Sequence, residues 1–420
     1  MRSRCARKAS GMATDLVPFE EVWPRIAAEL EPLGTEQVAL DDAEGRVLRE
    51  PLRAAWDLPR FDAAAMDGYA VRAADCTGEP PFRLRLAAGA AYAGPGKPPP
   101  LAAGEAMPIG TGGVVPDGAD AVAVRETSRL DGDAVIVERT VAEGDNIRRR
   151  GEELRAGDEL LAAGTRLDAV ALAAAAAAGA GTRPVTVGVR PRVGVVATGS
   201  ELVPPDRAPG PGQIVDTNRP LLERLVRRVL GTGPAFSAHA GDDADETART
   251  LGDALEATDL LVVTGGVSVG DRDYVRRTLE ERLGATRLFW RVAQKPGKPL
   301  YVAQAGARWI VGLPGNPAAV IVHATTVLVP LIRALEGAAE PLPRRLPVRL
   351  AEPQRRDRRR TLLRWATLHV ENGALWARIL PRCGSHMISD LARADVLVII
   401  PPGEGELAPG DSLDALLLER

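Results

Sequence analysis

The stretch DLLVVTGGVSVGDRDYVRRTLEE, from Asp259 to Glu281, decides the fold. Its apolar run Leu260 to Val263 reads as a fully buried strand that ends in Thr264-Gly265-Gly266, and from Asp273 the apolar residues Tyr274, Val275, Leu279 and Leu283 recur at helical spacing. A strand, a glycine-punctuated turn and a helix start leave unpaired backbone N–H groups where an anion can approach, so the junction is a candidate phosphate-binding corner. Asp271 and Asp273 lie in the same turn, and either can instead cap the helix.

Outward from this point, residues 184 to 337 alternate strands with helices. Strand Val193 to Ala197 leads to TGSEL, helix Pro220 to Leu230 follows DTN (Asp216 to Asn218), and a strand near Ala235 to Ala238 precedes helix Ala244 to Glu256. Further strands are expected around Leu288 to Val292, Leu300 to Val302 and Trp309 to Val311, before a long helix that follows PGNP. The alternation predicts an open, mostly parallel, doubly wound sheet covered on both faces, with ligands at the carboxyl ends of its strands. TGSEL (Thr198 to Leu202), GDD (Gly241 to Asp243), TGG with Asp271 and Asp273, QKPGKP (Gln294 to Pro299) and LPGNP (Leu313 to Pro317) all follow predicted strands and therefore share one crevice.

The charges in that crevice have to be explained together. Glu201, Asp242 or Asp243, and Asp273 bring carboxylates close, and two such charges at 4 Å repel by roughly 4 kcal/mol at an effective dielectric of 20. A cation relieves the repulsion, and Mg2+ held by carboxylates, water and substrate phosphate is the natural candidate. The alternative is a set of loop caps facing solvent. Only four of the 53 lysines and arginines are lysine, yet two of the four, Lys295 and Lys298, lie in QKPGKP. That bias favours a compact ammonium at a phosphate or oxyanion over generic surface charge.

The flanking regions differ in pattern. Residues 53–150 read as a β-rich insertion with turns at Asp117-Gly118 and Asp131 to Asp133, and residues 13–52 with 151–183 as a helical linker domain. Residues 342–420 read as a small C-terminal β-barrel, in which Asn372-Gly373 is a strong hairpin signal. The fold class is therefore α/β with β-rich additions. In the insertion, Asp67 of AMDGYAV is either a turn former or a metal or water ligand. Arg148 to Arg150 of NIRRRGEE are either a solvated face or an anion site, and RRDRRR (Arg355 to Arg360) is either a solvated edge or the border of an anionic ligand.

At 420 residues and a net charge of −3 the chain shows no global basic field, which argues against nucleic acid or membrane as partner. Cys5, Cys76 and Cys383 are scattered and suggest neither disulfides nor zinc, which fits a reducing cytosol. The longest nearly all-alanine run, Ala169 to Ala180, is too short to span a bilayer. MRSRCARKASG lacks an apolar core and is expected to be either a disordered tail (residues 1–12) or sequence upstream of a start at Met12.

In this order, FDAAAMDGYAV, PIGTGG with PDGAD, NIRRRGEEL, VVATGSEL, IVDTN, TGGVSVGDRDY, KPGKP and GLPGNP resemble the molybdopterin molybdenumtransferase family, to which the C-terminal part of gephyrin also belongs. The resemblance runs from about Thr14 to the C-terminus. It implies a cytoplasmic transferase of molybdenum cofactor biosynthesis that takes adenylylated molybdopterin and molybdate and releases AMP in a Mg2+-dependent step. It also implies a homodimer in which the β-rich domain of one subunit completes the α/β site of the other, with molybdopterin adenylyltransferase as a candidate partner.

The matching positions are Asp67, Thr111, Glu201, Asp242 or Asp243, Asp273, Lys295, Pro314, Pro317 and Ser385, with Arg364 carried over as well. Asp67, Glu201, Asp273 and Lys295 are the expected catalytic set, and Glu201, Asp242 or Asp243, and Asp273 the metal ligands. Thr264, Gly265, Gly266 and Ser268 would hold the pterin phosphate and adenylate, and Lys298 and Arg291 the molybdate. The chain departs from the family where Glu153 replaces a shorter carboxylate and where Arg291 replaces a lysine. His386 has nothing near it in sequence to pair with as a base. The α/β part alone also resembles molybdopterin adenylyltransferase, which needs neither the AMDGYA region nor the barrel. A scaffold of the kind gephyrin became would instead show an exposed apolar peptide groove and dispensable acids.

Overall fold

The computed structural model describes residues 16–267 and 274–418, so the expected tail, Ser268, Asp271 and Asp273 lie outside the described residues. At the centre is a six-stranded sheet in the order 236–240, 193–198, 260–264, 308–313, 301–305, 286–290. The first four strands are parallel, Tyr301–Ala305 runs antiparallel to them, and the edge strand Thr286–Trp290 pairs antiparallel with it and so returns to the common direction. This is the expected doubly wound sheet with an antiparallel margin, set by a two-residue turn at Gly306-Ala307 in which Gly306 has φ +62°.

Every residue of Val193–Thr198 and Leu260–Thr264 is buried, because helices cover both faces. Side chains alternate between two cores. Val193, Val195, Leu260 and Val262 meet Leu222 and Val226 of helix Asn218–Leu230, whereas Val196, Leu261 and Val263 meet Leu251 and Leu255 of helix Ala244–Ala257. The 19-residue helix Pro317–Leu335 is long and apolar enough to cross a bilayer, but 83% of its apolar window is buried inside the fold, where it fills the first core. The N-terminal helix Val22–Ala27, grouped with the linker by sequence, also buries Val22 and Ile26 in that core, and Val17 bridges to Val292.

The linker is built from distant pieces of chain: Thr35–Val38 pairs with Val185–Gly188, and Leu52–Arg53 with Glu159–Leu161. The β-rich domain holds a second six-stranded sheet in the order 121–124, 68–71, 105–109, 82–86, 134–137, 128–131. In the C-terminal domain the strands 361–371, 374–379, 345–350, 412–417 and 396–400 close into a five-stranded barrel through pairing of the last with the first. Asn372 and Gly373 turn its long hairpin with φ +50° and +72°. A short parallel strand, Gln294–Lys295, leaves the α/β domain and joins the barrel beside Thr361 and Leu362.

Candidate active site

A cleft of about 740 Å3 opens at the carboxyl ends of the central strands. Strand 193–198 is followed in the chain by its neighbour on one side and then by 260–264 on the other, so the cleft sits at the topological switch point. Its floor is knitted by a threonine and an asparagine. Thr264 Oγ1 donates to Pro314 O (3.2 Å) and accepts from Asn218 Nδ2 (3.0 Å), which also donates to Gly315 O (2.8 Å). Gly265 has φ +92°, and a Cβ there would stand 2.5 Å from Thr198 O, so this crossing of two strand ends demands glycine.

Glu201 and Asp242 both line the cleft from adjacent loops. Those loops are tied together by Ser200, whose N–H donates to Asp242 Oδ2 (3.3 Å) and whose Oγ accepts from Asp242 N–H (2.8 Å). Asp243 has a different task. Its Oδ1 accepts from Asp245 N–H (3.0 Å) and Glu246 N–H (2.8 Å) and caps helix 244–257, so of the two acids only Asp242 belongs to the cleft lining.

The exposed Lys295 and Lys298 also line the cleft, on a loop that contributes the buried Pro296 and Gly297 and the half-buried Pro299. Pro314 belongs to the lining, whereas Pro317 starts the long helix behind it. The barrel supplies Ser385, which accepts a hydrogen bond at Oγ from Asn316 Nδ2 (3.1 Å), and the half-buried Arg360, held by Asp357 through Nη2 (2.7 Å) and Nε (3.0 Å). The same guanidinium holds the Asp357 carboxyl below the usual carboxylate range.

Several expected groups stand elsewhere. Arg291 is not part of the cleft lining, because its positive φ of 77° turns the guanidinium over the Trp290 ring, 4.0 Å from the centroid. Arg364 is also absent from the lining and donates instead to Cys383 O (3.2 Å), steadying the loop that carries Ser385. Arg149 and Arg150 are ion-paired to Asp62 and Asp57, so these two guanidiniums brace neighbouring segments of this chain and do not face the cleft. Glu153 is exposed, with its N–H bonded to Leu58 O (3.0 Å).

The β-rich domain contributes nothing to the described lining of this cleft, yet it carries an ordered acid. Asp67 Oδ1 accepts from Thr111 N–H (2.7 Å) and Thr111 Oγ1 (2.8 Å). The amide bond, then the hydroxyl bond, keep the exposed carboxyl below its ordinary range, with Arg125 adding a smaller pull.

Sequence reasoning did not single out Arg360, Asn218 or Cys383 as lining residues. Arg360 was hidden by the run it ends, since five arginines around one aspartate give no hint which of them faces inward. Asn218 had a readable signal, as the last residue of a polar DTN triplet just before a helix.

Among the described residues no three metal-binding side chains converge. A cation here would rest on Glu201 and Asp242 and complete its shell with water and phosphate oxygens, which is the donor set Mg2+ favours. The residues present fit such an ion.

The cleft thus belongs to an α/β domain set between a linker with its β-rich arm and a barrel. Residues 17–179 match the family described as "MoeA N-terminal region (domain I and II)", residues 194–334 the "Probable molybdopterin binding domain", and residues 347–418 the "MoeA C-terminal region (domain IV)". The chain is 36% identical to a molybdopterin molybdenumtransferase of Nostoc sp. over 92% of its own length and 88% of the relative's. It is 31% identical to one of Haemophilus influenzae, over 91% and 93%. A crystal structure of a molybdopterin biosynthesis MoeA protein from Pyrococcus horikoshii OT3 superposes with a TM-score of 0.80 at 28% identity, covering 96% of this chain and all of that one. This chain belongs to the molybdopterin molybdenumtransferase family.

Proposed function

We propose that the chain inserts molybdenum from molybdate into adenylylated molybdopterin and releases AMP. The observation that carries this reading is that one cleft at the switch point is lined both by the acids Glu201 and Asp242 and by Lys295 and Lys298, two of the four lysines in the chain. The acids suit a cation-bridged phosphoanhydride, and the ammoniums suit a small dianion.

Thr264, Gly265 and Gly266, with Ser268, would receive the phosphates at the strand end, where backbone approaches the ligand without a Cβ in the way. Lys295 and Lys298 attract molybdate and hold it against the pterin, so that the encounter of two anions becomes a positioned one. Ser385 and Arg360 close the cleft from the barrel, while Arg364 fixes the Ser385 loop from behind. A Mg2+ held by Glu201 and Asp242, with Asp273, would supply charge neutralisation at the phosphoanhydride.

The working unit in this reading is a homodimer. The exposed, hydrogen-bonded Asp67–Thr111 pair lies apart from the lining of its own protomer's cleft, which supports its use in a partner's. The substrate would come from a molybdopterin adenylyltransferase in the cytoplasm.

The test is AMP release from purified protein given adenylylated molybdopterin and Mg2+, with and without molybdate. Release that depends on molybdate and leaves molybdenum on the pterin is expected. Adenylylation of molybdopterin from ATP, with no such release, would move the chain to the preceding step.

A further inference from the structure

Beneath the Lys295–Pro299 loop lie two buried polar side chains to which the proposed reaction gives no role. Gln294 donates through Nε2 to Pro296 O (3.0 Å). His323, fully buried in the long helix 317–335, places Nε2 3.1 Å from Pro299 O. A third inward bond runs from Val292 N–H to Lys298 O (2.8 Å).

Three carbonyls of this five-residue loop are thus turned toward donors of the protein itself. Carbonyl oxygens repel an oxyanion, whereas ammoniums and amide N–H groups attract it, so the orientation is the one an anion-binding loop requires. Gly297 shows how closely the loop rests on these supports. Its φ is +87°, and a Cβ there would stand 2.5 Å from His323 Nε2 and 2.9 Å from Gln294 Nε2. His323 Nδ1 has no hydrogen-bond partner among the described residues, so the ring's polar engagement is with the loop. Burial lowers the His323 pKa to about 4, against the opposing bonds to Gly297 and Pro299. The imidazole is therefore neutral at pH 7 and serves as a single N–H donor.

We propose that His323 is the positioning residue of the lysine loop: its Nε2–H anchors Pro299 O and, with Gln294, turns the loop so that Lys295 and Lys298 face an incoming tetrahedral oxyanion. The identity of that oxyanion as molybdate rests on the function proposed above.

The scarcity of lysine makes the test clean. Acetylation of Lys295 and Lys298 by an isotope-coded reagent is measured by mass spectrometry against exposed Lys97 as internal standard, over a range of molybdate concentrations, in wild type, His323→Gln and His323→Leu. Glutamine keeps an N–H at similar reach and leucine does not. Loss of one hydrogen bond predicts a molybdate affinity about fivefold weaker in His323→Leu and close to wild type in His323→Gln. Without ligand, the ratio of Lys295 to Lys298 acetylation should shift in the leucine variant alone. Wild-type behaviour of His323→Leu, or equal losses in both variants, overturns the positioning role. Absence of molybdate protection in wild type, with the ligand-free shift still present, keeps that role and sinks the molybdate assignment instead.

Discussion

Asp67 shows what one side chain can reveal about its use. An exposed aspartate on a turn is ordinarily unremarkable, but this one has a single oxygen committed to two donors of Thr111, which leaves the other free to bind. Thr111→Val removes the hydroxyl bond and keeps the amide. The Asp67 titration midpoint, followed by carbon-detected NMR, should move up toward the ordinary aspartate value. An unchanged midpoint would mean that the amide alone sets it. The same scale explains why Asp242 and Asp243 were inseparable in sequence: both follow a strand and precede a helix, and only the direction of each carboxylate tells the cap from the cleft.

For the helix 244–257, that distinction gives opposite expectations for neighbouring substitutions. Asp243→Ala loses two cap hydrogen bonds and should cost about 1 kcal/mol of stability with AMP release retained. Asp242→Asn should abolish AMP release with little change in Tm, and retained turnover would remove Asp242 from the proposed metal site. The α/β elements were legible because a strand covered on both faces is apolar throughout and is followed by helical periodicity. The barrel hairpin was legible from Asn372-Gly373. That this region forms a barrel was legible too, but the strands that close it were not, since pairing of 362–366 with 396–400 joins segments thirty or so residues apart in sequence with no local signal. The displacement of Arg291 was equally silent, because it depends on a left-handed backbone turn at a residue that rarely adopts one.

Across the whole molecule two buried groups oppose each other in pH. Burial pushes Glu336 up to about 7, against the pull of Arg166, Arg190, Arg46 and Arg333 where the α/β domain meets the linker. Above its ordinary value of 4.5 the unfolded chain releases that proton first, so this contribution to stability falls as pH rises toward 7. His323 has the opposite sign: between 6.5 and about 4 the unfolded chain takes up a proton that the folded state refuses, so its contribution falls as pH drops. Each shift corresponds to about 3 kcal/mol over its full window. Urea unfolding from pH 4.5 to 6.5 should therefore be nearly flat in wild type with respect to this pair, rise with pH in Glu336→Gln, and fall with pH in His323→Gln. The aspartates with lowered pKa values titrate below this range and leave it undisturbed.

The short strand Gln294–Lys295 is hydrogen-bonded to the barrel while its loop lines the α/β cleft. Two domains thus share one recognition element, and thermodynamic reciprocity applies to it. Whatever grips the barrel and alters its seating must change the loop's hold on an anion, and an anion bound at the loop must change the barrel's seating by the same factor. Anything that docks on the barrel alone would therefore sense whether the lysine loop holds an anion.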